Sequence, residues 1–210
     1  MFIRNCLTKL DEITVLYPNT TVEIALNTMQ ELQLASLPVI NENKQLVGII
    51  SKENIMEYLY KQRENITFSE FKKEEIKEAI RSMPTLSLDD TFEATLPIIV
   101  RNPFVPIIDK EQKLIGIIKR KSVTQALESA FGVGVKGVRI LIGTTEGEGL
   151  LNKILEEAHK YNINVIAAVS FDSGEFTRRI MLKVKNTEHT YELINHLEKI
   201  GFRILSISEE

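Results

Sequence analysis

Two stretches of this chain repeat each other position for position. Leu37-Pro38-Val39-Ile40, a polar turn and Leu46-Val47-Gly48-Ile49-Ile50 recur 68 residues later as Val105-Pro106-Ile107-Ile108, a polar turn and Leu114-Ile115-Gly116-Ile117-Ile118. The turns, Asn41 to Gln45 and Asp109 to Lys113, are equal in length. Short runs rich in β-branched residues and bounded by turn-formers predict buried strands. A unit that recurs at fixed spacing packs against its copy, because one repeat alone cannot close a core. Two halves related by a pseudo-twofold axis are therefore expected.

The repeat extends in both directions. Ile13 to Leu16 is expected as a short strand, and Tyr17-Pro18-Asn19-Thr20 as a turn. Thr20 or Thr21 then caps a helix from Val22 to Leu34, whose Val22, Ala25, Leu26, Met29 and Leu32 fall on one stripe. Ser51 opens a second helix through Ile55, Met56 and Leu59. In the second copy, Thr14 to Leu26 matches Pro84 to Leu96 at an offset of 70, so two residues are missing before the next strand. Pro97 in that region predicts a shortened or kinked helix. Between the copies, Tyr60 to Arg81 is densely charged but has neither glycine nor proline, which predicts an ordered helical connector.

Gly132-Val133-Gly134-Val135-Lys136-Gly137 ends the repeats and reads as a domain boundary. Beyond it, strands are expected at Val138 to Thr144, Asn164 to Phe171, Phe176 to Val184 and Phe202 to Ser208. Helices fall at Gly149 to Tyr161 and from Asn186-Thr187 to Ile200, with Asp172-Ser173-Gly174 as a tight turn. This β-α-β-β-α-β order is the ferredoxin-like arrangement. The expected fold class is α+β, with repeats at 1–65 and 66–133 and a separate domain at 138–210. Arg178-Arg179 reads as one exposed and one edge-directed charge, not as an anion site.

Composition narrows the function classes. A formal net charge of -3 gives no global reason to expect nucleic acid as partner. No apolar run approaches the roughly 18 to 20 residues that span a bilayer, and the N-terminus lacks the order of a signal peptide. Cys6 is the single cysteine, so no internal disulfide or thiolate cluster is expected, and a cytoplasmic location is the default. His159, His189 and His196 lie on charged helices without a completing ligand pattern. No phosphate-binding or nucleophile-elbow glycine motif is found. A non-catalytic protein without metal or cofactor is expected.

The two copies resemble CBS domains, and the tandem is similar to a Bateman module over about residues 1 to 131. The resemblance rests on the apolar-Pro-apolar-apolar strand and on Gly48-Ile49-Ile50-Ser51-Lys52-Glu53-Asn54, which follows the Gly-apolar-apolar-(Ser/Thr)-x-x-(Asp/Asn) signature. Copy two departs from it in Gly116-Ile117-Ile118-Lys119-Arg120-Lys121-Ser122, with Lys119 for the hydroxyl and Ser122 for the acid. The last 75 or so residues resemble an ACT domain. Its Asp-x-x-Gly turn is represented by Thr145-Glu146-Gly147-Glu148-Gly149. CBS followed by ACT is similar to acetoin-utilisation-type proteins and some cyclic di-AMP receptors.

This resemblance implies an adenine-nucleotide cleft between the halves and a regulatory role through an unnamed target protein. Leu37, Pro38, Phe104, Val105 and Pro106 would wall the purine, with Thr14, Ser51 and Asn54 at the ribose or phosphate. Ser51 and Asn54 have an alternative reading as plain helix caps. Lys119 and Arg120, with Lys121, oppose the helix macrodipole and would instead meet phosphate; the alternative is a solvated basic edge. Cyclic di-AMP fits this placement, with ATP and AMP as alternatives. Glu146, Gly147 and Gly149 form a candidate small-ligand turn, and the same domain alternatively serves only in dimerisation. A homodimer at least is implied, and a structural adaptor with vestigial pockets remains the other functional class.

Overall fold

A computed structural model describes residues 3–62, 64, 66–145, 147–172 and 177–209. The chain divides into two units, Met1–Thr124 and Gln125–Glu210.

In the first unit a short strand, β1 (Leu7–Lys9), precedes the first copy. The copy proceeds through α1 (Val22–Glu31), β2 (Ser36–Ile40), β3 (Leu46–Ser51) and α2 (Lys52–Gln62). Thr21 caps α1 by accepting a hydrogen bond from the Ile24 amide. The helix stops earlier than Leu34 because Gln33 turns left-handed (φ 54°) and the Leu34 amide bonds back to the Met29 carbonyl. After the single-turn α3 (Phe68–Phe71) come α4 (Thr95–Ile99), β4 (Phe104–Ile108), β5 (Leu114–Lys119) and α5 (Arg120–Ala130). Pro97 lies in α4, which has 5 residues against 10 in α1 and follows a 3-10 turn at Phe92–Ala94. The expected first strand of each copy shrinks to one bridged residue, Leu16 beside Val39 and Leu86 beside Ile107.

Hydrogen bonds make the pseudo-twofold axis visible. The Leu46 amide donates to the Gln112 carbonyl, and the matching Leu114 amide donates to the Lys44 carbonyl (3.3 and 2.8 Å). Gln45 and Lys113, themselves equivalent, pair across the axis. Lys44 and Gln112 hold the same left-handed turn position (φ 62° and 65°).

Each hairpin is met along one edge by backbone from elsewhere in the chain, a third strand for the second hairpin and a single bridge for the first. β1 pairs with β5 (Leu7 to Ile118, Lys9 to Gly116), whereas Arg81 pairs with Ile49 of β3. Gly48 and Gly116 permit this. A Cβ on Gly48 would stand 2.4 Å from the Arg81 carbonyl oxygen, and one on Gly116 2.2 Å from that of Thr8. The connector is ordered but built into the first copy: Phe71, Ile76 and Ala79 are fully buried with Val22, Met29, Val39 and Ile55. Phe71 is thus covered by its own unit and is not free to form an apolar contact face with another copy. Where the two hairpins meet, Ile49, Phe104 and Ile117 form a small shared core flanked by Ile13 and Met83.

The second unit contains β6 (Val138–Thr145), α6 (Leu150–Lys160), β7 (Val165–Asp172), β8 (Thr177–Val184), α7 (Thr190–Lys199) and β9 (Arg203–Glu209). The strands form an antiparallel sheet in the order β7-β8-β6-β9, the ferredoxin-like arrangement expected for this stretch. Ile140, Ile142, Ile180 and Leu182 face Ile154, Ala158, Leu193 and Leu197 of the helices. On the other face, fully buried Lys183 donates from Nζ to the Gly132 carbonyl at 2.9 Å. The expected tight turn at Asp172-Ser173-Gly174 lies partly outside the described residues.

Candidate functional site

The ends of β2, β4 and β5 and the start of α5 surround a cavity of about 440 Å³ in the first unit, within the usual range for small-molecule sites. One wall is Leu34, Ala35, Ser36, Leu37 and Pro38, together with Thr14. The left-handed turn at Gln33 ends α1 and leaves Leu32 and Leu34 exposed at the mouth (44 and 42% accessible). The other wall is Pro103, Phe104 and Ile117, rising to Lys119, Arg120 and Lys121. The cavity is thus apolar on one side and cationic on one rim. Arg120 Nη2 donates to the Asn102 carbonyl at 2.9 Å, which anchors the guanidinium beside the opening.

Of the residues singled out in the sequence, Thr14, Leu37, Pro38, Phe104, Lys119 and Arg120 line this cavity. Four others do not. Ser51 is occupied as the cap of α2, its Oγ accepting from the Asn54 amide at 3.0 Å, and neither residue reaches the cavity. Val105 and Pro106 are buried within β4, where the Pro106 carbonyl accepts from the Leu86 amide. Lys119 replaces the capping hydroxyl in copy two, so the lost cap and the first cation of the rim arise from one change.

Leu32, Leu34, Pro103 and Glu12 line the cavity without having been picked out for it, and Lys121 joins Lys119 and Arg120 there. Pro103 and the exposed Leu34 flank the two-residue deletion between the copies, which was the signal available. Among the described residues, no group of three or more His, Cys, Asp or Glu is placed to hold a metal ion. No helix among them is long and apolar enough to cross a membrane.

In the second unit Gly149, with φ 73°, stands just before α6 where a Cβ would have open space, and a Cβ on Gly147 would meet the Leu150 side chain at 3.5 Å. Glu146 lies outside the described residues. The neighbouring cavity involves instead Gly143, Thr144, Thr145, Arg178, Arg179 and Arg203.

The CBS domain profile matches residues 7–61 and 74–129, more than half of the chain. The chain belongs to the CBS-domain family. The uncharacterized protein MJ1225 of Methanocaldococcus jannaschii is 29% identical over 130 residues, covering 55% of this chain and 46% of that protein. The CBS tandem is also similar to the solved structure of CbpB in complex with c-di-AMP, at 25% identity and a TM-score of 0.56. That match covers 61% of this chain and 85% of the other. CBSX2 in complex with AMP is likewise similar, at 25% identity and a TM-score of 0.51, over 60% of this chain and 95% of that one. The chain spans less than half the length of the curated relatives it matches, including two inosine-5'-monophosphate dehydrogenases at 26 and 40%.

Proposed function

We propose that the chain is a non-catalytic sensor whose CBS cleft takes an adenine nucleotide, with cyclic di-AMP as the preferred ligand. The observation that carries this reading is the pairing of an apolar wall, Leu34 to Pro38 with Phe104, and a cationic rim, Lys119 to Lys121, around one cavity. A purine rests on flat apolar surface, and phosphate oxygens take charge-assisted hydrogen bonds from guanidinium and ammonium groups. The complexes of CbpB with c-di-AMP and CBSX2 with AMP support an adenine ligand.

A mononucleotide such as AMP is favoured by one feature. The cations that line the cavity, Lys119, Arg120 and Lys121, all belong to copy two, and the matching Ser51-Lys52-Glu53 of copy one does not line it. Residues 1–65 and 66–133 act in this scheme as the two halves of the sensor. The ACT-like domain, 138–210, joins a homodimer that passes the ligand state to a partner protein. Isothermal titration with AMP, ADP, ATP and cyclic di-AMP decides between the ligands. Cyclic di-AMP is expected to bind tightest, and AMP displacing it at equal concentration would overturn that preference. Absence of heat with all four would remove the sensor reading.

A further inference from the structure

The sheet of the second unit carries a row of side chains that nucleotide sensing leaves unused. Ile142 and Ile180 are buried under the helices, so alternation along β6 and β8 turns Gly143 and Arg179 to the opposite face. Gly143 stands directly opposite Arg179 of β8 on one side and Arg203 of β9 on the other. Phe171 of β7 stands opposite Arg179. Residues in register share a face, so the row reads Phe171, Arg179, Gly143, Arg203 across all four strands.

Glycine at the third place leaves a gap between two arginines whose backbones are about 10 Å apart, two strand spacings. The Leu205 side chain lies over Gly143 in that gap, where a Cβ would stand 3.1 Å from its methyl carbon. A cavity of about 430 Å³ opens here. Arg178 also lines this cavity but already has a partner, Asp172, opposite in register at 3.6 Å. The side chains of Arg179 and Arg203 have neither a hydrogen bond nor an ion pair among the described residues. Two unneutralised cations on one face repel each other and add nothing to the fold. An anion between them reverses that balance, and the guanidinium fork is shaped for an oxyanion.

We propose that this row binds a small organic oxyanion, carboxylate or phosphate, at the cavity between Arg179 and Arg203, with its apolar body on Leu205. The site is independent of the nucleotide cleft. The sequence alone offers Arg178-Arg179 no anion role; the register of β9 adds Arg203 to Arg179, and the proposal rests on that addition.

The test is a titration of the full chain with phenyl phosphate, phenylacetate, inorganic phosphate and neutral benzyl alcohol, followed by amide NMR shifts. Saturable shifts at Gly143 and Thr144 are expected with the aromatic anions and not with benzyl alcohol. The tighter of phenyl phosphate and phenylacetate identifies which oxyanion the site takes. Arg179→Gln and Arg203→Gln each remove a charge-assisted contact and are expected to weaken binding about tenfold. Both side chains are exposed, so the circular dichroism spectrum and the nucleotide affinity should stay unchanged. Equal binding of benzyl alcohol, unchanged anion binding in the double variant, or no saturable anion binding overturns the proposal. A change of oligomeric state in the double variant with anion binding intact would identify the row as a contact between copies instead.

Discussion

Arg120 is held in place within the proposed nucleotide cleft by its own chain. Its bond to the Asn102 carbonyl holds the guanidinium at the cleft rim, so less rotamer freedom is lost on binding. Arg120→Ala is expected to weaken nucleotide binding roughly ten- to a hundredfold, about 1.5 to 3 kcal/mol for a charge-assisted contact. Lys110→Ala, at an exposed turn, should leave the titration curve where it was. Glu157 marks a second residue-scale dependence. Lys160 donates to its carboxylate at 2.8 Å and His196 Nε2 lies 3.1 Å from the other oxygen. The Lys160 hydrogen bond holds the Glu157 carboxyl below its ordinary 4.5, against the opposing effect of burial, with a further contribution from His196. A depressed carboxylate stabilises the fold above the unfolded value and loses that contribution as pH falls through the folded one. Thermal unfolding of Glu157→Gln should therefore depend less steeply on pH below 4.5 than that of the parent; parallel curves would remove the link. The basic triplet at the cleft was legible in the sequence because it broke a repeat. Ser51 was not, since a hydroxyl that caps and one that binds look alike until the cap is seen closed.

At the scale of elements, the hairpins were readable and their completion was not. The apolar runs around Val39 and Ile107 announce strands by composition alone. β1 is three residues long, two of them polar, and its partner lies more than 100 residues away. Local pattern cannot reveal such a pairing. The glycines at 48 and 116 are its trace, since each lets a foreign backbone approach within a Cβ's reach. Gly116→Ala is expected to cost about 1 to 3 kcal/mol through forced overlap with Thr8. Hydrogen exchange should show lost protection at Leu7 to Lys9. Gly48→Ala should do the same at Arg81 instead, and uniform loss in either variant would argue against separate seats. The two-residue deletion before β4 was also visible, and its effect on α4 followed from Pro97.

For the whole chain, the stretch from Gly132 to Gly137 read as an open boundary but is tied to the sheet through Lys183. Lys183→Met should free it and speed tryptic cutting at Lys136, whereas unchanged cleavage would mean the bond contributes no restraint. Phe68 remains exposed at 53%. If the proposed dimer covers it, light scattering of the parent will give twice 23.9 kDa, and Phe68→Asp will shift the mass downward. A monomeric parent would remove that assembly. The seating of β1 carries one more consequence, in the order of synthesis. Leu7 to Lys9 are made before either hairpin, yet their partners Gly116 to Ile118 follow more than 100 residues later. At about 5 to 20 residues per second, a ribosome leaves that strand waiting for roughly 5 to 20 s. The strand translated first is therefore among the last in its unit to find its place, and nascent chains halted before residue 116 must carry it unpaired.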